Sequence, residues 1–476
     1  MLTRPHVCAL LLLATLITSK AFAQSAAYNF YYGNLHAHSA YSDGNQDSAT
    51  SGHMRPRQDY AFADASLHMD FLGISEHNHG GAGMKRPYYA RGLREADSAT
   101  TNGSFIALYG MEWGIIANGG HMLVYGVNQL LGWEPGNYDV FVGQQDYTGL
   151  FRQINRRPGA FALFAHPQSG DYNGLARVDT AFRPVADSAL VGTPMRSGPA
   201  SSTAIDYSDA SNGSYESTYI RMLSKGYHMG ISLDHDNHKT TFGRTTPGRL
   251  VVLADSLTRP KLLAALRTRR FYASDDWNAE LSLTINGQPM GSILESANPV
   301  NLSITFADGD LEPAQSITLM RGVPGSGANA TIVATAASGT AMLTYTDTMA
   351  IGAQRYYYAI VMQADGDRIV SSPIWYKRIN PSAIAVPLPL CRLELFPNPA
   401  QGGGAVTLSY FMARSEPVSL TVYNALGRQV ARPLYNAYPS YGAQGVQLET
   451  ASLPPGVYTV RLQQGQQVAH KPLLVE

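Results

Sequence analysis

The sequence predicts an α/β unit followed by two small all-β units, and three observations support this prediction. In residues 30–274, short apolar runs alternate with longer helix-compatible stretches, which is typical of parallel strands connected by helices. From about residue 280, apolar and polar residues alternate with period two between turn signals, which indicates antiparallel β-sandwiches. Near residue 381, a stretch rich in proline and alanine predicts a linker before the last unit.

The first unit is expected to span residues 28–278, with residues 168–203 as an inserted loop. Its clearest predicted helix begins with a capping Thr258, has Pro260 in the first turn and presents an apolar face. The strand candidates are 30–35, 71–75, 105–111, 122–127, 161–165, 229–233 and 250–254, and the helix candidates include 146–156, 215–225 and 258–270.

The two later units are expected at residues 280–380 and 393–476, joined by the linker 381–392. The alternation in residues 280–380 resembles that of a fibronectin- or immunoglobulin-like sandwich. We find no constellation of catalytic side chains in this middle unit, so the chemistry is expected in the first unit.

The N-terminus has the pattern of an export signal. Arg4 precedes the apolar run 7–17, and Ala21-Phe22-Ala23 is a small-x-small cleavage site. We therefore expect residues 1–23 to be a signal peptide. After cleavage only Cys391 remains, which cannot form an internal disulfide.

Charge and hydropathy restrict the possible partners of the chain. The 476 residues have a formal net charge of zero, so nothing indicates electrostatic attraction to nucleic acid or to an acidic membrane surface. No stable nucleic-acid complex is expected. Beyond the signal peptide, no stretch is long and apolar enough for a transmembrane span.

The first chemical signal is the segment from His36 to Gly44, which follows the first predicted strand. In an extended chain, residues i and i+2 point to the same side, so His36 and His38 can direct both rings at one ion. Asp43 follows in a Ser-Asp-Gly turn. Such a short motif alone is more often a solvated loop than a metal site, so the hypothesis depends on further ligands.

Further imidazoles and carboxylates follow or open five other predicted strands, where catalytic groups of α/β barrels gather. A single histidine in such a place is usually an ordinary polar residue. The joint pattern is different, because the two later units contribute only His470. The residues are Glu76-His77-Asn78-His79, Glu112, His121, His166 and the run Asp234-His235-Asp236-Asn237-His238.

A cluster of imidazole and carboxylate without thiolate suits divalent zinc, manganese or iron. The number of candidate ligands exceeds the needs of one ion, so two or three divalent ions are expected as cofactors. Close metal ions stabilise the attacking and leaving oxygens of a displacement at phosphorus and lower the pKa of bound water. The sequence also has no nucleophile elbow and no Walker loop, and the predicted chemistry is metal-assisted hydrolysis.

Over residues 28–275 these motifs resemble the PHP family, the polymerase and histidinol phosphatase phosphoesterases. The first motif of that family, H-x-H-S-x-x-S-D-G, is met in full by residues 36–44. Its D-H-N motif appears with Glu76 in place of aspartate. The other matching segments are Gly110-Met111-Glu112, residues 119–123, Ala165-His166-Pro167 and Asp236-Asn237-His238.

The resemblance implies a distorted seven-stranded β/α barrel with a di- or trinuclear metal site. It assigns the ligands His36, His38, Glu112 and Asp236 to one ion, Glu112, His121 and His166 to a second, and Asp43, His77 and His238 to a third. Glu112 would bridge two ions. Asp234 and His235 offer a competing pair for the positions of Asp236 and His238.

The expected function is that of a secreted metal-dependent phosphoesterase acting on a phosphomonoester, a nucleotide or an oligonucleotide end. The attacking group would be a metal-bound hydroxide held by His36, His38, Glu112 and Asp236. Lys239 and Arg244 are candidates for binding phosphate and are equally compatible with ordinary surface charges. The end of the first unit, with residues 250–254, the arginine-rich helix 258–270 and Phe271-Tyr272-Ala273-Ser274, resembles the carbaryl-hydrolase-like branch of the family. This resemblance suggests hydrolysis of a carboxyl ester, carbamate or amide as an alternative. A second alternative is a surface-displayed binding protein with an inactive barrel.

The last unit resembles a type IX secretion sorting domain. Three segments support the resemblance in the expected order, Phe396-Pro397-Asn398-Pro399-Ala400, residues 422–428 and residues 453–458. The resemblance implies the type IX secretion machinery as a partner. It also implies export through the periplasm to the cell surface or the medium.

Overall fold

The computed structural model describes residues 28–116, 119–172, 174–177, 179–380, 393–412, 417–439, 442–465 and 467–476. The predicted signal peptide, the predicted linker 381–392 and Cys391 lie outside the described residues.

Helices separate most strands of the first unit, but four consecutive strands lie between Ile106 and Phe141 without a helix among them. Its strands are β1 Asn29–Asn34, β2 Phe71–His77, β3 Ile106–Trp113, β4 Met122–Tyr125, β5 Leu131–Gly132, β6 Val140–Phe141, β7 Phe161–Phe164, β8 Leu190–Ser197, β9 Gly230–Asp234, β10 Arg249–Ala254 and β11 Phe271–Ser274. Its helices are α1 Ser48–Ser51, α2 Pro56–Asp64, α3 Arg86–Ala99, α4 Tyr147–Asn155, α5 Pro184–Ala189, α6 Glu216–Ser224 and α7 Arg259–Arg267, with a 3₁₀ turn at Gly80–Ala82. The expected inserted loop 168–203 therefore contains a helix, α5, and a buried strand, β8.

The two later units consist of strands. The middle unit contains β12 Ala279–Ile285, β13 Gln288–Pro289, β14 Ile293–Ser296, β15 Val300–Asp308, β16 Ala314–Gly322, β17 Thr331–Ala336, β18 Met342–Asp347, β19 Gln354–Gln363, β20 Arg368–Ser371 and β21 Ile374–Arg378. The last unit contains β22 Leu393–Phe396, β23 Ala405–Met412, β24 Val418–Asn424, β25 Gln429–Ala437, β26 Gly442–Glu449, β27 Gly456–Gln464 and β28 Gln467–Val475.

The predicted distorted seven-stranded β/α barrel is wrong. The strands of the first unit form an open mixed sheet in the order β11-β10-β1-β2-β3-β4-β7-β8-β9, in which β4 and β10 run antiparallel to their neighbours. Among the described residues, 42% lie in strands and 15% in helices, so the fold is mostly β and not helix-rich. No barrel closes among the described residues, because the outer edge of β11 pairs with β20 of the middle unit instead of with β9.

The predicted antiparallel sandwiches are confirmed. In the middle unit the sheet β13-β12-β15-β18 faces the continuation of the large sheet, and β12 and β15 bury every second residue. This alternation buries one face of each strand and leaves the other in water. The last unit has sheets β22-β23-β26 and β25-β24-β27-β28 around a core of its own.

One hydrophobic core joins the first and the middle units. Val251 and Tyr272 of the first unit lie in the same buried cluster as Leu281, Ile317 and Tyr357 of the middle unit. The pairing of β11 with β20 continues the backbone hydrogen bonding across the same junction. Within the described part of the chain, no helix has the length and apolar character that crossing a membrane requires.

Candidate metal centre

The ends of β1, β2, β3, β7 and β9 converge on one place in the first unit. His36 and His38 follow β1, His77 is the last residue of β2, and Glu112 lies near the end of β3. The segment after β9 is tied to the first motif, since the His38 backbone N–H donates to the Asn237 carbonyl at 2.9 Å. The sheet topology therefore brings together groups that lie up to two hundred residues apart in the sequence.

The structure brings all nine predicted metal ligands together. Within each of three groups, one ligand atom from every residue lies within 4.8 Å of the others. His166 joins through its Nε2, which lies 3.1 Å from Glu112 Oε1. The groups are His36, His38, Glu112 and Asp236; His77, Glu112 and His121; and His38, Asp43, His77 and His238.

Glu112 lies at the centre of the cluster, and its side chain is 1% exposed. Ring nitrogens of five histidines surround its two oxygens. The distances are 2.9 Å to His121 Nδ1, 3.1 Å to His166 Nε2, 3.2 Å to His36 Nε2, 3.2 Å to His77 Nδ1 and 3.3 Å to His38 Nε2. Glu112 therefore belongs to two ligand groups, as a carboxylate shared between two cations would.

Several buried polar atoms of the cluster form no well-aligned hydrogen bond, although carboxylate oxygens lie nearby. They include both ring nitrogens of His36, His38 Nε2, His77 Nδ1, His121 Nδ1 and Asp236 Oδ1. Leaving such atoms unpaired in a buried place is costly, whereas a cation at the common centre would satisfy them together. The donor set thus fits divalent metal ions.

The pKa shifts of the cluster follow from burial and from the opposite charges packed together. Burial raises the pKa of Glu112, but the imidazoles packed against it, His121 and His36 foremost, outweigh burial and hold that pKa well below its usual range. Burial lowers the pKa of His77 to about 3, which keeps that imidazole neutral, the form that binds metal.

The last motif presents Asp236 and His238, and not the competing pair, to the cluster. Asp236 has a φ of 55°, and its Oδ1 lies 3.0 Å from His36 Nε2 and 3.3 Å from His38 Nε2. His235 turns away, since its Nε2 lies 2.8 Å from the Gly248 carbonyl. Asp234 is fully buried at the end of β9, and neither of its carboxylate oxygens has a partner.

Asn34 and Glu76, to which the sequence motifs assign no ligand role, support the loops of the centre. Asn34 Oδ1 accepts hydrogen bonds from the backbone N–H groups of His36 and His235, both at 3.1 Å, and so joins the ends of β1 and β9. Glu76 accepts from the Ser42 hydroxyl at 2.5 Å and from the Ser39 hydroxyl, which holds the turn before Asp43. In the sequence each of the two is only a polar residue near the end of a predicted strand. Such residues are common and do not by themselves indicate a role in a site.

The two candidate phosphate-binding cations differ in their surroundings. Arg244 donates to the Ala65 carbonyl at 3.0 Å and to the Ser66 hydroxyl at 3.2 Å, and its guanidinium lies 4.4 Å from the Phe62 ring centroid. These contacts hold Arg244 against the end of α2, away from a substrate role. Lys239 is half-buried and directly follows His238.

Solvent reaches the centre on the side of Asp43. Its side chain is 40% exposed, whereas those of His36 and His38 are fully buried. His238 and Asp236 have intermediate values of 15% and 14%. The centre is therefore accessible to molecules from solution between Asp43 and His238.

The comparisons with known proteins identify the last unit. Residues 394–476 match the family model of the secretion system C-terminal sorting domain. The chain therefore carries a type IX sorting domain, which makes it a secreted or cell-surface protein and implies the type IX secretion machinery as a partner.

No curated protein matches the chain. Among solved structures, the fibronectin(III)-like modules of CbhA from Clostridium thermocellum align with 14% identity over 41% of this chain and 94% of theirs, at a TM-score of 0.19. The titin Ig tandem domains A164-A165 align with 13% identity over 42% of this chain and 97% of theirs, at a TM-score of 0.22. At such TM-scores neither similarity bears on the function of this chain.

Proposed function

We propose that the first unit is a metal-dependent hydrolase of the phosphoesterase type, which acts outside the cell on a phosphomonoester, a nucleotide or an oligonucleotide end. One observation supports the proposal above all others. Six imidazoles and three carboxylates from several strand ends converge, and buried nitrogens among them form no well-aligned hydrogen bond.

The proposed cofactors are two or three divalent ions of zinc, manganese or iron. Nitrogen and carboxylate donors without thiolate suit these metals. His36, His38, Glu112 and Asp236 would hold one ion, Glu112, His121 and His166 a second, and Asp43, His77 and His238 a third. Bound ions would supply water of lowered pKa and positive charge opposite a phosphoryl oxygen.

The protein groups around the centre would position the substrate. Asp43, on the solvent side, would hold the ion nearest to the incoming ester, and Glu76 would keep its turn in place. Lys239 is half-buried, directly follows His238 and would bind a phosphate oxygen. Arg244 is left out of this role because its donors are used against α2.

The proposed kinship with the PHP family rests on the motifs and on the convergence of their residues. It does not depend on a closed barrel, since metal ligands need only the ends of neighbouring strands. The matched family model covers the sorting domain alone, at residues 394–476.

Metal analysis combined with an ester panel tests the proposal. The mature protein, loaded separately with zinc, manganese and iron, is analysed for metal content and assayed on phosphomonoesters, dinucleotides, carboxyl esters and a carbamate. We expect two or three ions per chain and the highest kcat/KM on a phosphate ester. Binding of at most one ion by folded protein would contradict the multinuclear centre.

Two other outcomes would point to the alternatives. Turnover confined to carboxyl esters or carbamates would indicate the carbaryl-hydrolase-like activity. A fully metal-loaded protein that hydrolyses none of these substrates would indicate a binding protein.

A further inference from the structure

A cleft lined by arginines lies between the start of α2 and one face of α3. Its volume is about 420 Å³, within the range of roughly 300–1,000 Å³ that is usual for ligand pockets. Four guanidinium groups and a single carboxylate line it. We call this pocket the arginine cleft, and its charged residues are Arg55, Arg57, Arg91, Arg94 and Glu95.

The packing of two helices brings these charges together. Arg91, Arg94 and Glu95 occupy positions i, i+3 and i+4 of α3, which lie on the same face of a helix. Arg55 directly precedes α2, and Arg57 lies in its first turn. The Arg57 backbone N–H donates to Glu95 Oε2 at 3.2 Å and so joins the start of α2 to that face of α3.

The one carboxylate of the cleft already has its partners. Glu95 is 8% exposed, and its Oε1 accepts from Arg55 Nη2 at 2.9 Å and from the Tyr41 hydroxyl at 2.8 Å. Its Oε2 accepts from the Arg57 backbone. Glu95 therefore balances the charge of Arg55 and leaves three guanidinium charges in the cleft without compensation.

Arg57, Arg91 and Arg94 have no counter-charge of their own. All three are exposed, and among the described residues no carboxylate forms an ion pair with any of them. Arg86, on the same helix, pairs in contrast with Asp139 at 2.5 Å. A cleft lined by charges of one sign concentrates ions of the opposite sign, so the arginine cleft attracts anions.

The kind of charge and its amount restrict the class of anion. A guanidinium presents a planar fork of donors that matches the oxygens of phosphate and carboxylate groups. A single carboxylate would balance only one of the three uncompensated charges, whereas two linked phosphate groups carry several negative charges in a small volume. No aromatic ring lines the cleft to stack against a base, so the anionic group itself would be recognised.

We propose that the arginine cleft binds a diphosphate group, with Arg57, Arg91 and Arg94 donating to its oxygens. The Arg55–Glu95 pair forms the fixed wall behind it. Free pyrophosphate and the diphosphate end of a larger ester present the same chemistry to these donors. The cleft contains none of the proposed metal ligands, so this proposal does not depend on the proposed hydrolase activity.

Protection of single arginines from chemical modification tests the proposal on the full mature chain. The protein is treated with phenylglyoxal with and without inorganic pyrophosphate, and mass spectrometry measures the rate of modification at each arginine. At a pyrophosphate concentration of about ten times Kd, modification of Arg57, Arg91 and Arg94 should be about tenfold slower, because only the free site reacts. Arg152, exposed on α4, is the internal control and should react at an unchanged rate.

Because protection is measured at each arginine, binding of pyrophosphate at the metal centre does not affect the result. Equal rates with and without pyrophosphate at the three arginines would overturn the proposal, and so would equal slowing at Arg152.

Other anions identify the ligand class and its source. The concentration dependence of protection gives Kd for pyrophosphate, ADP, phosphate and citrate. We expect phosphate to bind at least about tenfold more weakly than pyrophosphate, because it reaches fewer guanidinium groups. Protection by ADP would identify an ester as the source, and protection by pyrophosphate without ADP would identify the free anion. Protection by citrate at the same concentrations as pyrophosphate would contradict the assignment to diphosphate.

Matched variants measure the contribution of single guanidinium groups. Arg94→Gln should raise the Kd of pyrophosphate, measured by protection of Arg57 and Arg91, by about tenfold, the size of one charge-assisted hydrogen bond. Arg152→Gln makes the same change in net charge outside the cleft and should leave Kd unchanged. Arg57→Gln gives an independent second variant, measured by protection of Arg91 and Arg94. An unchanged Kd in both cleft variants would rule out the arginine cleft as the binding site.

Discussion

At the scale of single residues, Glu112 and Asp43 occupy opposite positions in the proposed centre. Glu112 is surrounded by five imidazoles in the interior, whereas Asp43 lies at the solvent side beside His38, His77 and His238. Loss of either carboxylate removes one negative charge, but Glu112 belongs to two ligand groups and Asp43 to one. The two residues therefore allow a matched comparison.

We predict that Asp43→Asn lowers kcat on the best phosphate ester by about 10²–10³-fold, the usual effect of removing one electrostatic contact to the transition state. Asparagine keeps the size of the side chain and loses the charge that holds a hard cation. The ligands of the other two groups are intact, so most of the metal should remain. Metal content and kcat are measured on the same preparation.

Glu112→Gln is expected to remove two ions together and to abolish hydrolysis, because one carboxylate serves two ligand groups. Far-ultraviolet circular dichroism serves as the control that the variant is folded. Full activity in Asp43→Asn would mean that the third ion is absent or uninvolved. Full metal content in Glu112→Gln would rule out a bridging carboxylate.

Arg249 is a fully buried arginine whose donors all go to backbone carbonyls. Its guanidinium donates five hydrogen bonds of 2.8–3.0 Å to the segments 67–68 and 243–248. Burial lowers the pKa of Arg249 to about 10, so the side chain stays protonated at neutral pH. The residue holds two loops that no strand pairing joins directly.

We predict that Arg249→Leu lowers the free energy of unfolding by about 3–5 kcal/mol, since several buried carbonyls lose their donor at once. Arg249→Lys should restore only part of this stability, because an ammonium group lacks the planar fork of donors. Urea unfolding gives the values, and Arg94→Leu on the exposed face of α3 is the control. A loss below about 1 kcal/mol in Arg249→Leu would show that water replaces the guanidinium.

At the scale of elements, the close pairing of β1 with β2 positions the first two histidines. Gly33 pairs with Phe71, and a Cβ at Gly33 would lie 2.3 Å from the Phe71 carbonyl oxygen and 2.6 Å from its ring. Relieving this overlap would require β1 or β2 to move, because the nearest atom belongs to the backbone. His36 and His38 follow within five residues of that contact.

Gly33→Ala is therefore expected to cost about 1–3 kcal/mol of stability, the usual penalty of overpacking, and to reduce the number of bound ions. Gly143→Ala is the matched control, since its added Cβ would meet nothing nearer than Asp146 Cβ at 3.7 Å. Urea unfolding and elemental analysis report the two effects. Unchanged metal content in a destabilised Gly33→Ala would show that the first motif forms independently of the spacing between β1 and β2.

At the scale of the whole molecule, the first and middle units share both a sheet and a core. The β11–β20 pairing and the cluster around Tyr272 cross the boundary between them, and Arg368 adds an ion pair with Glu216 at 2.7 Å. The last unit has a separate core. Truncations at the two boundaries should therefore behave differently.

A chain ending at Asn380 should fold, bind metal and keep its hydrolytic rate when produced in the cytoplasm, and it should accumulate in the periplasm of its native host. A chain ending at residue 278 should be insoluble or partly unfolded, because it exposes the apolar face that β12 to β21 cover. Solubility, metal content and cell fractionation check both. Normal release of the chain ending at Asn380 would contradict the export role of the sorting domain.

The sequence by itself predicted the features that depend on neighbouring residues. The period-two alternation of β12 and β15, the strand ends carrying His36, His77 and Glu112, and the ordered motifs of the sorting domain all lie in short segments. Backbone periodicity and turn chemistry act over a few residues, so a single sequence reveals them.

Only the tertiary structure decided the features that depend on competition between distant segments. The sheet would close if β11 paired with β9, but β11 pairs with β20 instead. The residues of a strand edge do not specify which other strand pairs with it, because the hydrogen-bonding groups are those of the backbone. Asp236 has a positive φ, and its carboxylate, not His235, faces His36. Arg244 is engaged by contacts with the end of α2.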